Sequence, residues 1–260
     1  MSSRELADLS GPAVVDTLTN ESIIVLPVGS IEHHGPHLPL ATDLIMADLL
    51  SSRMVDAAAA TGLDVWRLPP IAYTKSDEHH WAPGTMWIGA DELLATLRGI
   101  GSSVAKTGSR RLVFVNGHGG NVALLQVALR ELRRLYDLQT FLLNVAVPAG
   151  DGTTGPDERG FGIHGGWGET SLLAHLRPEL VDASTFARAV PDQLAGFELI
   201  GFAGKPVQFG WLSDDFGFGG VVGDPTGATA EAGAEIAAGL VDFGVAALTE
   251  IARFEPGVAS

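Results

Sequence analysis

Ile23-Ile24-Val25-Leu26-Pro27-Val28 leads directly into Gly29-Ser30-Ile31-Glu32-His33-His34-Gly35-Pro36-His37-Leu38-Pro39-Leu40-Ala41-Thr42-Asp43. The first six residues are apolar without a break, the pattern of a strand covered on both faces of a parallel sheet. The polar stretch after them sits where open α/β sheets bind ligands, beyond the carboxyl end of a strand. Glu32, His34 and Asp43 are oxygen and imidazole donors of the kind that Zn, Mn and Fe accept. Glu32 and His34 are two apart, so an extended backbone projects them the same way. An ordinary polar loop with surface histidines is the competing reading. Three of the chain's eight histidines fall within five positions here, which weighs against it.

Outward from this stretch the chain alternates between two periodicities. A helix is predicted from Asp43, with Leu44, Met46, Leu49, Leu50 and Met54 as its apolar residues. Residues 65–68 read as a second strand, stopped by Pro69-Pro70. Asp91 is expected to cap a helix whose Leu93, Leu97, Ile100 and Val104 recur at helical spacing. A third strand, 112–115, enters Asn116-Gly117-His118-Gly119-Gly120-Asn121 and then a helix with Leu125, Leu129 and Leu132 on one face. Residues 141–145 read as a fourth strand. Such alternation predicts βαβ units and a mostly parallel sheet between two helical layers, a three-layer αβα sandwich. Residues 148–168 read as a long loop, of the kind that often carries function. A short helix is expected from about Glu169 to near Pro178, and an alanine-rich one from about Ala230. Between them lies a glycine-rich stretch with Phe202, Phe209, Trp211, Phe216 and Phe218. No repeat or linker interrupts residues 1–260, so one domain is expected.

Composition narrows the partners. The 260 residues are 46% hydrophobic and 18% charged, enough apolar material for a large core. Thirty-one acidic against 16 basic side chains give a formal charge of −15, which argues against nucleic acid and anionic membranes. With no cysteine, thiolate metal sites and cysteine nucleophiles are excluded. Residues 1–9 show no apolar signal core, and no stretch is expected to approach the ~20 apolar residues of a bilayer span. A cytoplasmic setting follows as the expectation.

Three further clusters carry polar chemistry. His118 stands in a glycine-rich turn after a strand. The dinucleotide fingerprint would need a glycine where Val122 stands, and no phosphate-loop lysine follows, so a metal ligand suits His118 better. Gly162-Ile163-His164-Gly165-Gly166-Trp167-Gly168-Glu169-Thr170-Ser171 places a carboxylate at a helix start, where simple dipole stabilisation is the alternative. Lys75-Ser76-Asp77-Glu78-His79-His80-Trp81 precedes a Pro-Gly break and reads equally well as a solvated turn. No G-x-S-x-G elbow supports a serine hydrolase.

Taken in order, these stretches resemble the signatures of the creatininase family. Residues 29–43 look like its G-S-x-E-Q-H-G-P-H-L-P-L-x-T-D. Residues 116–121 match its N-G-H-G-G-N variant, 164–171 resemble H-A-G-x-x-E-T-S, and 219–226 resemble G-V-x-G-D-P-T. The family spans creatininase, formamide deformylases and mycofactocin-maturation peptidases. The resemblance implies a creatininase-like fold and two divalent ions per chain, zinc with manganese or iron as alternatives. It places Glu32 and His118 on one ion, His34 on the other and Asp43 between them. Creatininase has a glutamate where Gly120 stands, so Glu169 would complete the second site and creatinine becomes a doubtful substrate. His33 replaces the usual glutamine. The implied reaction is hydrolysis of a C–N amide bond in a cyclic amide, formamide or similar small molecule, by metal-activated water. His164 is the candidate general acid, with Glu78 as the alternative, and Trp167 either lids the substrate or packs the loop. A mycofactocin-type metallopeptidase is the alternative function, suggested by residues 4–9; a non-catalytic binding protein on the same fold is the other. Homo-oligomers, hexameric in creatininase, are implied as well.

Overall fold

The computed structural model describes residues 3–217 and 219–257. Phe218, read above among the loop aromatics, lies outside them. The central sheet has the order β2-β1-β3-β4, with β1 at Ile23–Val28, β2 at Val65–Arg67, β3 at Arg111–Asn116 and β4 at Gln139–Asn144. All three pairings are parallel, with Ile23 opposite Val65 and Arg111, and Arg111 opposite Gln139. Every residue of β1 and β3 is buried. This is why neither strand shows a polar-apolar alternation: helices cover both faces.

The two faces build two cores. Ile23 and Val25 of β1, with Val113 and Val115 of β3, pack against α2 (Thr42–Ala60), α5 (Trp167–Leu176) and α6 (Ala230–Arg253). Ile24, Leu26, Leu112 and Phe114 pack the other way, against α3 (Ala90–Ala105) and α4 (Val122–Tyr136). The three-layer αβα sandwich expected from the alternation is therefore present. A short helix, α1 (Gly11–Thr17), precedes β1 and carried no strong periodic signal; Ser10 caps it by accepting from the Ala13 N–H.

Some local expectations need correction. Asp91 does not cap α3: Gly89 occupies that position with no side-chain bond, and Asp91 lies inside the first turn. There its charge still suits the helix N-terminus. Helix α5 begins at Trp167, two residues before Glu169. Helix α6 is long and apolar enough to cross a membrane by length and composition, contrary to the expectation that no stretch approached this. Its alanines and glycines raise apolarity without bulk. Ala237, Leu240, Leu248 and Ile251 set it into the core beside α2 and α5.

Candidate metal centre

Strands β1 and β3 end side by side, and their last residues turn into the two polar loops. Two glycines let helix α2 come down onto those ends. A Cβ on Gly29 would lie 2.5 Å from the Cα of Leu44, and one on Gly117 would lie 2.5 Å from the Asp43 carbonyl oxygen. Neither position has room for a side chain, so the first turn of α2 seats Asp43 between His34 and His118.

The ligand candidates are buried and held in place by their neighbours. His34 donates Nδ1–H to the Glu32 carbonyl at 3.1 Å, which turns Nε2 inward. His118 donates Nε2–H to the Lys75 carbonyl at 2.8 Å, which turns Nδ1 inward. Carbonyl partners of this kind fix the tautomer of a metal-binding histidine. Asp43 reaches both rings: Oδ1 is 3.2 Å from His34 Nε2 and Oδ2 is 3.0 Å from His118 Nδ1. Glu32 Oε2 lies 3.2 Å from His118 Nδ1 and accepts a hydrogen bond from Ser76 Oγ at 2.5 Å. Glu169 Oε2 accepts from the Gly165 N–H at 2.6 Å, leaving its other oxygen unassigned.

Two trios of donors, Glu32–Glu78–His118 and His34–Asp43–Glu169, each lie within 4.8 Å of one another. A third, Glu32–His34–His164, meets the same limit. Ligand atoms on a tetrahedral ion sit about 3.4 Å apart when the bonds are about 2.1 Å long. The 3.0–3.2 Å separations here approach that spacing. His34 Nε2 and Asp43 Oδ2 are buried without a hydrogen-bond partner among the described residues. Unpartnered buried acceptors are costly, and a cation would satisfy both. The residues fit a two-metal centre.

Charge in the metal-free centre follows the same geometry. Burial opposes a charge on His34, but Asp43 and Glu32 beside it outweigh burial and raise the imidazole to about 9. Burial likewise opposes charge on His118, and Glu32 with Asp43 carries it well above its ordinary value. Against burial, His34 and His118 hold Asp43 below the usual carboxylate range, and His118 does the same for Glu32. Burial raises Glu169. His164 and His79 go the other way: burial first, then a neighbouring histidine, lowers them to about 3 and about 2. The raised histidines contribute stability to the metal-free fold fully below their ordinary 6.5, and His34 loses its share as pH rises through about 9. The same protons must leave before a cation binds. In chelator, the melting temperature is expected to fall between pH 6.5 and pH 9, while metal affinity measured by calorimetry climbs and about two protons are released at neutral pH. Binding without proton release would rule this out.

The turn at 75–80 is not solvated as its composition allowed. Ser76 and His79 are buried against Glu32, with His79 Nε2 3.6 Å from Glu32 Oε1 and its ring 4.2 Å from that of His164. Glu78 Oε1 stands 3.3 Å from His118 Nε2. A Cβ on Gly120 would lie 2.0 Å from the same Glu78 oxygen, so Glu78 fills the space a side chain at 120 would need. His164 donates Nε2–H to the His33 carbonyl at 2.7 Å and points Nδ1 at Glu32 Oε1, 3.6 Å away. His33 itself turns outward against Trp81. Trp167 packs rather than lids: it is buried, and its Nε1–H donates to the Gly227 carbonyl at 3.0 Å. Phe202, Phe209 and Trp211 instead line a cleft of about 670 Å³ above the centre. A second cavity of about 240 Å³ opens between the ends of β3 and β4. His118, Gly119, Ile163 and Glu169 wall both.

The chain is 39% identical over 248 residues to the mycofactocin precursor peptide peptidase of Mycobacterium ulcerans, covering 90% of this chain and 86% of that one. It is 32% identical over 174 residues to the creatinine amidohydrolase of Pseudomonas putida, covering 62% and 67%. A crystal structure of creatininase superposes with a TM-score of 0.74 at 24% identity, covering 99% of this chain and all of that one. Among the solved neighbours are a Zn–Zn form and a Mn form of creatininase. The preference for a small amide over a peptide is not settled by these relatives, one of which is a peptidase by name and another a creatinine amidohydrolase, so peptide bonds are not excluded. Residues 7–248 match the family model described as creatinine amidohydrolase, and the chain is a member of the creatininase family.

Proposed function

We propose that this chain is a two-metal hydrolase that cleaves an amide C–N bond within a peptide. The observation that carries it is the pair of cavities meeting at His118 and Glu169. A substrate can extend to both sides of the bond being cut, which a formamide or a small lactam does not do. The likeness to a precursor-peptide peptidase over 90% of the chain supports the same substrate class. Gly120 and the Glu78 carboxylate that fills its space argue against creatinine, because creatininase is expected to bind an ion from that position.

In this reading Glu32 and His118 would hold one ion, His34 and Glu169 the other, and Asp43 would serve both. Bound cations would lower the pKa of a shared water and polarise the substrate carbonyl. The side chains supply the rest. Ser76 holds Glu32, and the Lys75 carbonyl holds His118. His164 is assigned the proton transfer. Its inward Nδ1 is unprotonated at neutral pH, so it first accepts the proton that the attacking water gives up. It then passes that proton to the leaving nitrogen, the role of a general acid-base catalyst. Glu78, between Lys75 and His118, is the alternative donor.

The test is a panel of short peptides, creatinine and formamides with metal-loaded enzyme. Peptide turnover is expected to exceed creatinine turnover by at least about 100-fold, the scale of one lost electrophilic contact. His164→Ala should lose peptide turnover while keeping its metal. Ring opening of creatinine at about 10 per second, typical of an enzyme on its own substrate, would overturn the assignment.

A further inference from the structure

Glu158 is a carboxylate that the mechanism does not use, and it is 0% exposed. It stands in the loop 148–168, apart from the metal donors. Its Oε1 accepts from the backbone N–H of Trp167 at 3.2 Å and of Asp224 at 2.6 Å. Its Oε2 accepts from the Gly150 N–H at 2.5 Å. No basic side chain pairs with it among the described residues, so backbone N–H groups alone receive the carboxylate.

Three separate segments meet on this one side chain. Gly150 opens the long loop. Trp167 is the first residue of α5, where an N–H has no partner inside the helix, and Glu169 follows two residues later. Asp224 lies two residues after Val222, whose backbone pairs with His164: the His164 N–H donates to Val222 at 3.1 Å and the Val222 N–H donates back at 2.8 Å. Glu158 thus ties together the backbones that carry His164 and Glu169.

The surrounding glycines show that the space is reserved. A Cβ on Gly162 would lie 2.3 Å from Oε2, and one on Gly166 2.3 Å from Oε1. A Cβ on Gly223 would lie 2.8 Å from Oε1. These glycines come from two segments distant in sequence, and each leaves room for the same carboxylate. They also explain why the stretch around His164 and Trp167 is so rich in glycine.

We propose that Glu158 is a positioning residue, which sets Glu169 and His164 against the rest of the metal centre through the backbone of α5 and the 222–224 segment. The proposal rests on the two-metal reading of the centre. Glu158→Gln keeps the shape but puts an N–H₂ where an acceptor is required. Whichever way the amide turns, it faces Gly150 or the Trp167 and Asp224 pair, donor against donor. The start of α5 then loses its anchor, and Glu169 loses its alignment.

The experiment measures the two metal affinities by calorimetry in wild type, Glu158→Gln, Glu158→Asp and Asp151→Asn. It also follows hydrogen exchange at Gly165 and Trp167 in the metal-free proteins. Asp151 is the control, because it accepts from Thr153 and Thr154 within the same loop and touches neither α5 nor the centre. In Glu158→Gln one of the two affinities is expected to fall about 10–100-fold, the usual effect of losing an outer partner of a metal site. Exchange at Gly165 and Trp167 should accelerate. Glu158→Asp, which keeps the charge one methylene shorter, should recover part of both, and Asp151→Asn should change neither. Unchanged affinities in Glu158→Gln would overturn the proposal, as would equal loss in Asp151→Asn. Unfolding of both Glu158 variants would also overturn it, making Glu158 a general determinant of the fold. A wild-type protein that binds no metal would instead sink the two-metal reading itself.

Discussion

Asp43→Asn is expected to leave the purified protein with almost no bound metal and to lower turnover by at least about 10³-fold, beyond the 10²–10³ that loss of one electrophilic group costs. The two oxygens of Asp43 face different histidines at close range, Oδ1 toward His34 at 3.2 Å and Oδ2 toward His118 at 3.0 Å. An asparagine offers one oxygen and one N–H₂. Whichever way it turns, one ion loses its ligand and meets a donor in its place. The remaining oxygen is neutral, so the second ion is held less firmly too. The variant also removes one of the two anions, with Glu32, that let His34 and His118 carry protons in the metal-free fold. Elemental analysis after dialysis, with circular dichroism to verify folding, decides the matter. About two ions per chain with near-normal turnover would mean that Asp43 bridges nothing.

The sheet and the donors contributed by β1, β3 and α2 were legible because their signals are local. Ile23–Val28 is a buried strand by its unbroken apolar run, and Glu32, His34 and Asp43 follow within one loop. His118 was legible from the strand before it and the glycines around it. Ser76 and His79 were not, because burial of a polar turn depends on what lies over it. Here it is Glu32, more than forty positions away, that gathers the hydroxyl and the ring. The packing of Trp167 depends in the same way on the Gly227 carbonyl, sixty positions later. Glu158 is the extreme case. Its partners are backbone N–H groups, which every residue but proline has, so no side-chain pattern announces them. The only trace is indirect, in the glycines at 162, 166 and 223 that leave it room.

Glu169→Gln is expected to reduce bound metal toward one ion per chain while costing little stability. Two readings of Glu169 made different demands on the same side chain, a metal ligand or an anion at the start of α5. A carboxylate has an oxygen for each. Oε2 accepts from the Gly165 N–H at 2.6 Å, just before the helix, and the carboxylate also belongs to the trio with His34 and Asp43. Glutamine can keep only the first of these. The Gly165 N–H needs an acceptor, so the amide oxygen stays there and the N–H₂ turns toward His34 and Asp43. A donor then stands where a cation requires an electron pair. The helix loses only an interaction of its dipole with a charge, about 0.3–1 kcal/mol. Burial raises the Glu169 carboxyl to about 7, so without metal its charge costs the fold stability and removing it is not expected to lower melting much. The expected result is therefore a split: melting in chelator close to wild type, one ion lost, and turnover down by at least about 10²-fold. Melting falls and metal stays if Glu169 is only a cap. Full occupancy and normal turnover would move the second site to other donors, and Glu32 with His34 and His164 is the trio that stands ready.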